Sequence, residues 1–511
     1  MDTGNWDISV KTIGEPDQFE GFILASSASK YQLSSYKTNS DQIVDHNIHF
    51  VAQTTSNEKT IEALKEFNPI NNAFMLVKFP NGAQQKVAMY DDGLHGDNLA
   101  NDGLFGGDFK ATEAGGYNVQ INAYGRNPNG TPFFRTSEHF VPVIEQKISM
   151  NAKNANAFSI SENRLNITMN VDNQAKSSND RYRIIAEVWG QSATDKNMQP
   201  VSWISTITDV TKGQLNIELD GRWIAMANVA GNFELRNLRV EDAEHFIPLI
   251  SRKSLGLKVA SLPKAASKAF NGEITQEMLM GKRPTEKAVN KAGARLLLVH
   301  GYCSSDVWGP YAGQFASSST FYDLNQNRTH DDFAQRIKNF GAAYSSFGVV
   351  AHSQGGAASL HLYTYYWSGL DNSSGNRLIQ SVGTPYSGTP LAGNLAAIGD
   401  VFGVGCGVNS NLTTSGAASW LAGIPTWARN RVNYNTTSFA TKWWRYDYCS
   451  IATDLFLSDP EDGVTEKSRG QLSGGINRGH KTGWCHTLSM RDPGQTSDSS
   501  RNADMSANAN R

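Results

Sequence analysis

No cysteine occurs in the first 302 residues of this chain, and the four present stand at 303, 406, 449 and 485. They form no CxxC pair, which excludes the usual zinc and dithiol spacings. An even number confined to one part of the chain predicts two disulfides, and hence an oxidising compartment and a secreted or extracellular protein. An excess of one charge is also missing: 46 Lys and Arg stand against 48 Asp and Glu. Without a basic field, nucleic acid is excluded as a partner, as is an anionic membrane held by charge alone. No run approaches the roughly 18 to 20 apolar residues that span a bilayer as a helix, which predicts a soluble protein with no transmembrane segment. The opening MDTGNWDISVK has no basic end followed by an apolar run, so a secretory leader is either absent from it or already removed.

What is present is length and alternation. At 511 residues the chain exceeds what one core usually serves. Residues 1–148 contain short runs such as NAFMLVKF, QKVAMY and YNVQINAYG between Gly, Asn and Pro signals. That is the pattern of a β-sandwich. Residues 149–255 repeat it; in RLNITMNV, Leu165, Ile167 and Met169 alternate with polar residues, and a second Ig-like sandwich is expected. Within the first unit, DDGLHGDNLANDGLFGGDF is a near-repeat that aligns Asp92 to Asp97 with Asp102 to Asp108. Such a loop either chelates calcium through its carboxylates or simply makes successive turns. Residues 256–292 lose the alternation, gain Ala and Lys, and read as a linker.

From 293 to 491 the period changes. RLLLV is continuously apolar, DDFAQRIKNFGAAY places Phe333, Ile337, Phe340 and Tyr344 at helical spacing, and RLIQSVGTP returns to strand. Strands alternating with helices predict a mainly parallel sheet. Residues 492–511 are polar and read as a loose tail. Within this region VVAHSQGGAA carries a strand into Ser353 and then into a helix. A sharp strand-to-helix turn crowds its neighbours, so the positions two before and two after the serine must be small, and here they are Ala351 and Gly355. The pattern is A-H-S-Q-G, with alanine where glycine is commoner. Upstream, LLLVHGYCSS puts His300-Gly301 directly after a buried strand. The backbone amides of Tyr302 and Gln354 are then the candidate oxyanion donors. The alternative for HGY is a plain strand-ending turn.

With LLLVHGYCSS, VVAHSQGG, SVGTPYSGTPLAG and DPEDGV followed by a late histidine, residues of about 290–490 resemble the α/β-hydrolase family, and within it the bacterial secreted lipases and esterases. The resemblance does not extend to the β units. It implies an α/β-hydrolase domain and a serine ester hydrolase that needs no cofactor. Its nucleophile is Ser353, its acid Asp462 in the D-G-V element, and its base a late histidine. A serine hydroxyl needs such a base, itself oriented by an acid. His486 is preferred to His480 as base. Asp459 is the second choice of acid, with Asp454 and Glu461 in the same acidic cluster, and His361 lies in the helix after Ser353 as a surface or packing residue. The lipases' calcium site is not carried over, because HTLSMRD lacks the immediate carboxylate, and no metal is expected.

The insertion at 386–450 holds Trp420, Trp427, Trp443 and Trp444, which line an acyl-binding wall or simply pack the insertion. The expected disulfides join Cys303 to Cys485, beside the site, and Cys406 to Cys449. The expected partner is an ester or acyl substrate, lipid or polyester, with surface or polymer attachment through the β units. Two other readings remain open: an acyltransferase with the same triad, and a non-catalytic surface-binding or signalling protein with a relic hydrolase domain.

Overall fold

In a computed structural model, described here for residues 31–56, 69–127, 130–174, 180–285, 291–393, 406–440, 457–487 and 492–511, each unit grows from its own hydrophobic pattern. In Ile70–Lys78, Ala73, Met75 and Val77 are buried while the residues between them are not. This strand lies in a four-stranded antiparallel sheet with Gln84–Met89, Gly115–Arg126 and Pro132–Val143. Tyr31–Lys37, Asn47–Ser56 and Phe105–Lys110 form a facing three-stranded sheet. Phe50, Met75, Phe109 and Ile121 fill the space between, as in an Ig-like sandwich. The Asp-rich loop uses its carboxylates on its own turns. Asp97 Oδ2 accepts from the amides of Asp92 and Gly93 (2.8 and 2.9 Å), and Asp91 accepts from those of Asp102 and Gly103 (3.0 and 2.9 Å). Among the described residues no group of three or more His, Cys, Asp or Glu is arranged to hold a metal.

In the second unit, expected to be Ig-like, seven strands close into a barrel. In spatial order they are Arg164–Asn170, Gln214–Asp220, Met198–Thr211, Arg181–Ser192, Val229–Asp242, Pro248–Val259 and Asn154–Ser159. Closure is made by a parallel pairing of Pro248–Val259 with Asn154–Ser159. The register of Arg181–Ser192 shifts against both of its neighbours, and such irregularities increase the twist and bend that let a sheet curl. Period-two alternation is the same in a sandwich and a barrel, so the sequence pattern did not distinguish them.

The third unit is a six-stranded, wholly parallel sheet. Its strands are β1 (Arg295–Val299), β2 (Ser318–Thr320), β3 (Phe347–His352), β4 (Ile379–Val382), β5 (Val432–Ser438) and β6 (Ile476–Thr482), in the order β2-β1-β3-β4-β5-β6. Leu297, Val299, Val349 and Ala351 face helices α1 (His330–Gly341) and α2 (Gln354–Tyr365). Leu296, Leu298, Val350 and Val382 face the other way, against Trp308 and Met505. Burial on both sides is why RLLLV is continuously apolar. Met505 belongs to a helix, Ser499–Asn508, which corrects the expectation of a loose tail. Its polar residues misled the reading because they are buried with partners: Asn502 donates to the Thr496 carbonyl (2.8 Å) and to the Gln314 side chain (2.8 Å). No helix among the described residues is long and apolar enough to cross a membrane.

Barrel and third unit are joined through buried polar groups. Arg183, fully buried, pairs with Glu241 (Nε to Oε2, 2.7 Å) and donates to the carbonyls of Trp420 (2.9 Å) and Ser419 (2.7 Å). Arg181 reaches Asp331 at the start of α1. Ser205 donates to the Gly423 carbonyl (2.7 Å), and Asn411 donates to that of Glu244 (2.7 Å). Replacing Arg183 by Ala takes the closest cation from the buried Glu241, whose other partner Arg239 is 3.5 Å away, and a donor from two carbonyls; it should cost about 3–5 kcal/mol, read as a lowered urea midpoint of the barrel and third unit together. A midpoint equal to that of the unaltered chain would show that the joint carries no stability.

Candidate functional site

The carboxyl end of β3 runs into Ser353, whose backbone sits at φ 52° and ψ −135°, a strained region for any residue with a Cβ. Three contacts hold it there. The Ser353 amide donates to the Val382 carbonyl (3.1 Å), and its own carbonyl accepts from the amide of Gly356 (3.1 Å) and from the hydroxyl of Thr384 (2.7 Å). The expected crowding is visible from both sides. A Cβ on Gly355 would stand 2.3 Å from the His300 carbonyl oxygen, and one on Gly301 would stand 2.4 Å from the Ser353 Cβ. Gly301 therefore lets the β1 loop lie directly against the corner.

Asp462 and His486 meet in the structure. The carboxylate Oδ2 lies 3.2 Å from His486 Nδ1, and the His486 amide donates to the Asp462 carbonyl at 2.7 Å. Asp462 is further fixed by the amides of Val464 (3.1 Å) and Thr465 (2.8 Å) and by the Thr437 hydroxyl (3.2 Å). Gln495 places its amide nitrogen 3.2 Å from the same His486 Nδ1, and it accepts from Thr437 (2.5 Å). His352, next to the serine, donates from Nε2 to the His486 carbonyl (2.9 Å). Burial pushes His352 well below the usual histidine range, so the ring is neutral. Among the described residues no hydrogen bond joins the Ser353 hydroxyl to His486.

The other candidates fall elsewhere. His480, on β6, is 3.0 Å from the Thr436 hydroxyl and 3.2 Å from that of Ser438. Asp459 is exposed, Glu461 is buried and accepts from the Gly463 amide, and Asp454 lies outside the described residues. His361 is buried rather than at the surface, 3.1 Å from Asp331 Oδ1 and accepting from the Trp420 indole (3.1 Å). Trp420 is thereby a packing residue; Trp427 is half-buried, and Trp443 and Trp444 lie outside the described residues. The Tyr302 hydroxyl donates to the Gly407 carbonyl, and the Gln354 side chain donates to that of Arg328 (2.7 Å). Cys303 is bonded to Cys406, with Cα atoms 6.0 Å apart. This corrects both expected pairings: the bridge ties the loop after β1 to the insertion, not to the histidine loop. Cys449 lies outside the described residues. Sequence reasoning missed Gln495 and His352 as neighbours of His486. His352 stands within the A-H-S-Q pattern itself, directly before the serine.

Together these features define a modular protein of two Ig-like β units and a parallel-sheet domain with a tight serine corner. The comparisons with known proteins resolve which such protein it resembles. Residues 31–143 match a family model described as the conditioned medium factor second Ig-like domain, 183–282 the third Ig-like domain, and 291–509 the conditioned medium factor C-terminal domain. The chain is 38% identical over 459 residues to conditioned medium factor of Dictyostelium discoideum, covering 86% of this chain and 65% of that protein. Among solved structures, a DUF4785 family protein of Legionella pneumophila aligns at 11% identity and TM-score 0.29, over 45% of this chain and 58% of its own. Phospholipase PlaB of the same organism aligns at 14% and 0.27, over 35% and 45%. At these scores neither likeness bears on fold or function.

The family matches overturn the assignment of the third unit to the α/β-hydrolase family and its lipases or esterases. With it fall the expected ester hydrolysis, the hydrolase designation and the ester or acyl substrate. The physical reason is that the order of motifs specifies a corner and its neighbours, not a reaction. Burial also lowers the pKa of His300, His330 and His361. Each, like His352, binds its proton more readily unfolded than folded. Stability is therefore complete above about pH 6.5 and lost as pH falls below it, by up to about 1.4 kcal/mol per pH unit for each histidine. Melting temperatures of the full chain should fall from pH 7 to pH 5, less steeply in His352→Gln; a flat profile would contradict the buried neutral rings.

Proposed function

We propose that the chain is a secreted factor that acts by binding, as a signalling protein, without turnover. The observation that carries this reading is the 38% identity over 86% of the chain to a protein named conditioned medium factor. The Cys303–Cys406 bridge supports it, since such bonds persist in oxidising compartments. So do the Ig-like units, an architecture whose exposed sheets and loops serve recognition in many proteins. In this reading Ser353, Asp462 and His486, with the amides of Tyr302 and Gln354, form a frame that shapes the carboxyl edge of the sheet. The network from Asp462 through His486 and Gln495 to Thr437 locks the loops after β5 and β6 together. Labelled chain should bind saturably to cells of the organism that makes it, and Ser353→Ala should bind equally well. Absence of saturable binding, or its loss in Ser353→Ala, would contradict the reading.

A further inference from the structure

Outside the serine corner, a cavity of about 400 Å³ opens where the barrel, the short helix Gln276–Met280 and the third unit meet. Its size lies in the roughly 300–1,000 Å³ range of small-ligand sites, and junctions between domains are a preferred place for them. Three indoles line it from three different parts of the chain: Trp203 and Trp223 from the barrel and Trp427 from the third unit. Trp203 is 41% exposed, although it stands on a barrel strand beside buried Ile204. Trp223 is held in place by its N–H, which donates to the Met278 carbonyl at 2.9 Å. Trp427 packs edge-on against Tyr363, with ring centroids 5.8 Å apart.

The polar lining narrows the ligand chemistry. Asp220 is buried and committed to Arg222 (2.7 Å) and Arg164 (3.4 Å), so it offers no free charge. Glu218 and Lys282, both exposed, contribute one charge of each sign. The cavity thus has no net charge to select a phosphate or an ammonium ligand. Nor is it apolar throughout, because Thr206, Thr208 and Asn216 also line it. Asn216 uses its oxygen on Asn166 and Thr168 (both 3.1 Å), which leaves its amide nitrogen as a donor. A neutral ligand is required that has C–H faces for aromatic rings and many hydroxyls for scattered donors and acceptors.

We infer that this junctional cavity binds a neutral oligosaccharide. Pyranose rings present an apolar face to an indole and a rim of hydroxyls to threonine, amide and carboxylate groups. The site goes beyond the binding role proposed above and does not depend on it, since it concerns free sugar rather than cells. Because it straddles the joint, an occupied cavity would also brace the barrel against the third unit.

The test is a titration of the full chain with cellotetraose, chitotetraose and maltotetraose, followed by tryptophan fluorescence and saturation-transfer NMR, with laurate as the apolar comparator. At least one tetrasaccharide should bind saturably with a Kd of about 1 mM or tighter. Trp203→Ala, at an exposed position, and Thr206→Val should each weaken it by about tenfold or more, with unchanged melting temperature. Trp189→Ala, on the same barrel but outside the cavity, should leave it unaltered. The inference is overturned if no tetrasaccharide saturates, if laurate saturates instead, or if Trp203→Ala and Thr206→Val bind like the unaltered chain. Failure here leaves cell binding untouched, and failure of cell binding leaves this site untouched.

Discussion

A charged side chain with no access to water must find every partner inside the protein, and Arg183 is the residue on which this constraint falls hardest. Its guanidinium shares charge with Glu241 on the neighbouring barrel strand and spends its other N–H groups on two carbonyls at the end of a helix in the third unit. Neither unit alone satisfies it. A buried pair of this kind is weak evidence for net stability, because desolvation offsets most of the attraction. What it supplies is geometry: its bonds cross the joint, where Arg181 also meets Asp331 and Ser205 the Gly423 carbonyl. The cavity lined by Trp203, Trp223 and Trp427 lies at this joint.

The same logic of committed polar groups governs the serine corner. His352, His486, Asp462, Gln495 and Thr437 form one buried polar cluster in which His352 Nδ1 is left without a partner among the described residues. Hydrogen bonds on several sides fix the loops that carry it, which is useful to a binding edge as much as to a reaction. The Ser353 hydroxyl stands outside the network, and its strained backbone is held by Val382, Gly356 and Thr384. Fold and corner therefore do not by themselves assign an activity.

Much of this was legible in the sequence wherever a local pattern determines a local structure. RLLLV reads as a strand buried on both faces, and the small residues at 351 and 355 read as a crowded turn. The lipase resemblance pointed to Asp462 and His486, whose Oδ2 and Nδ1 lie 3.2 Å apart. What was not legible depends on distant partners. Barrel closure needs a parallel pairing between Asn154–Ser159 and Pro248–Val259, about which alternation says nothing. The bond from Cys303 to Cys406 rests on how the insertion folds back over the β1 loop, where Asn327 also reaches the Cys406 carbonyl (3.0 Å). The polar composition of 499–508 concealed a packed helix. The resemblance to lipases misled for a related reason: the motifs encode the corner, and the reaction was added by analogy.

The proposal at the centre of this account is that the chain works by binding, without turnover at Ser353. The most direct measurement is intact-mass and peptide mass spectrometry of the full chain after incubation with a fluorophosphonate probe at neutral pH. Binding without turnover predicts an unmodified Ser353 peptide. A stoichiometric adduct on Ser353 that disappears in His486→Ala would contradict it.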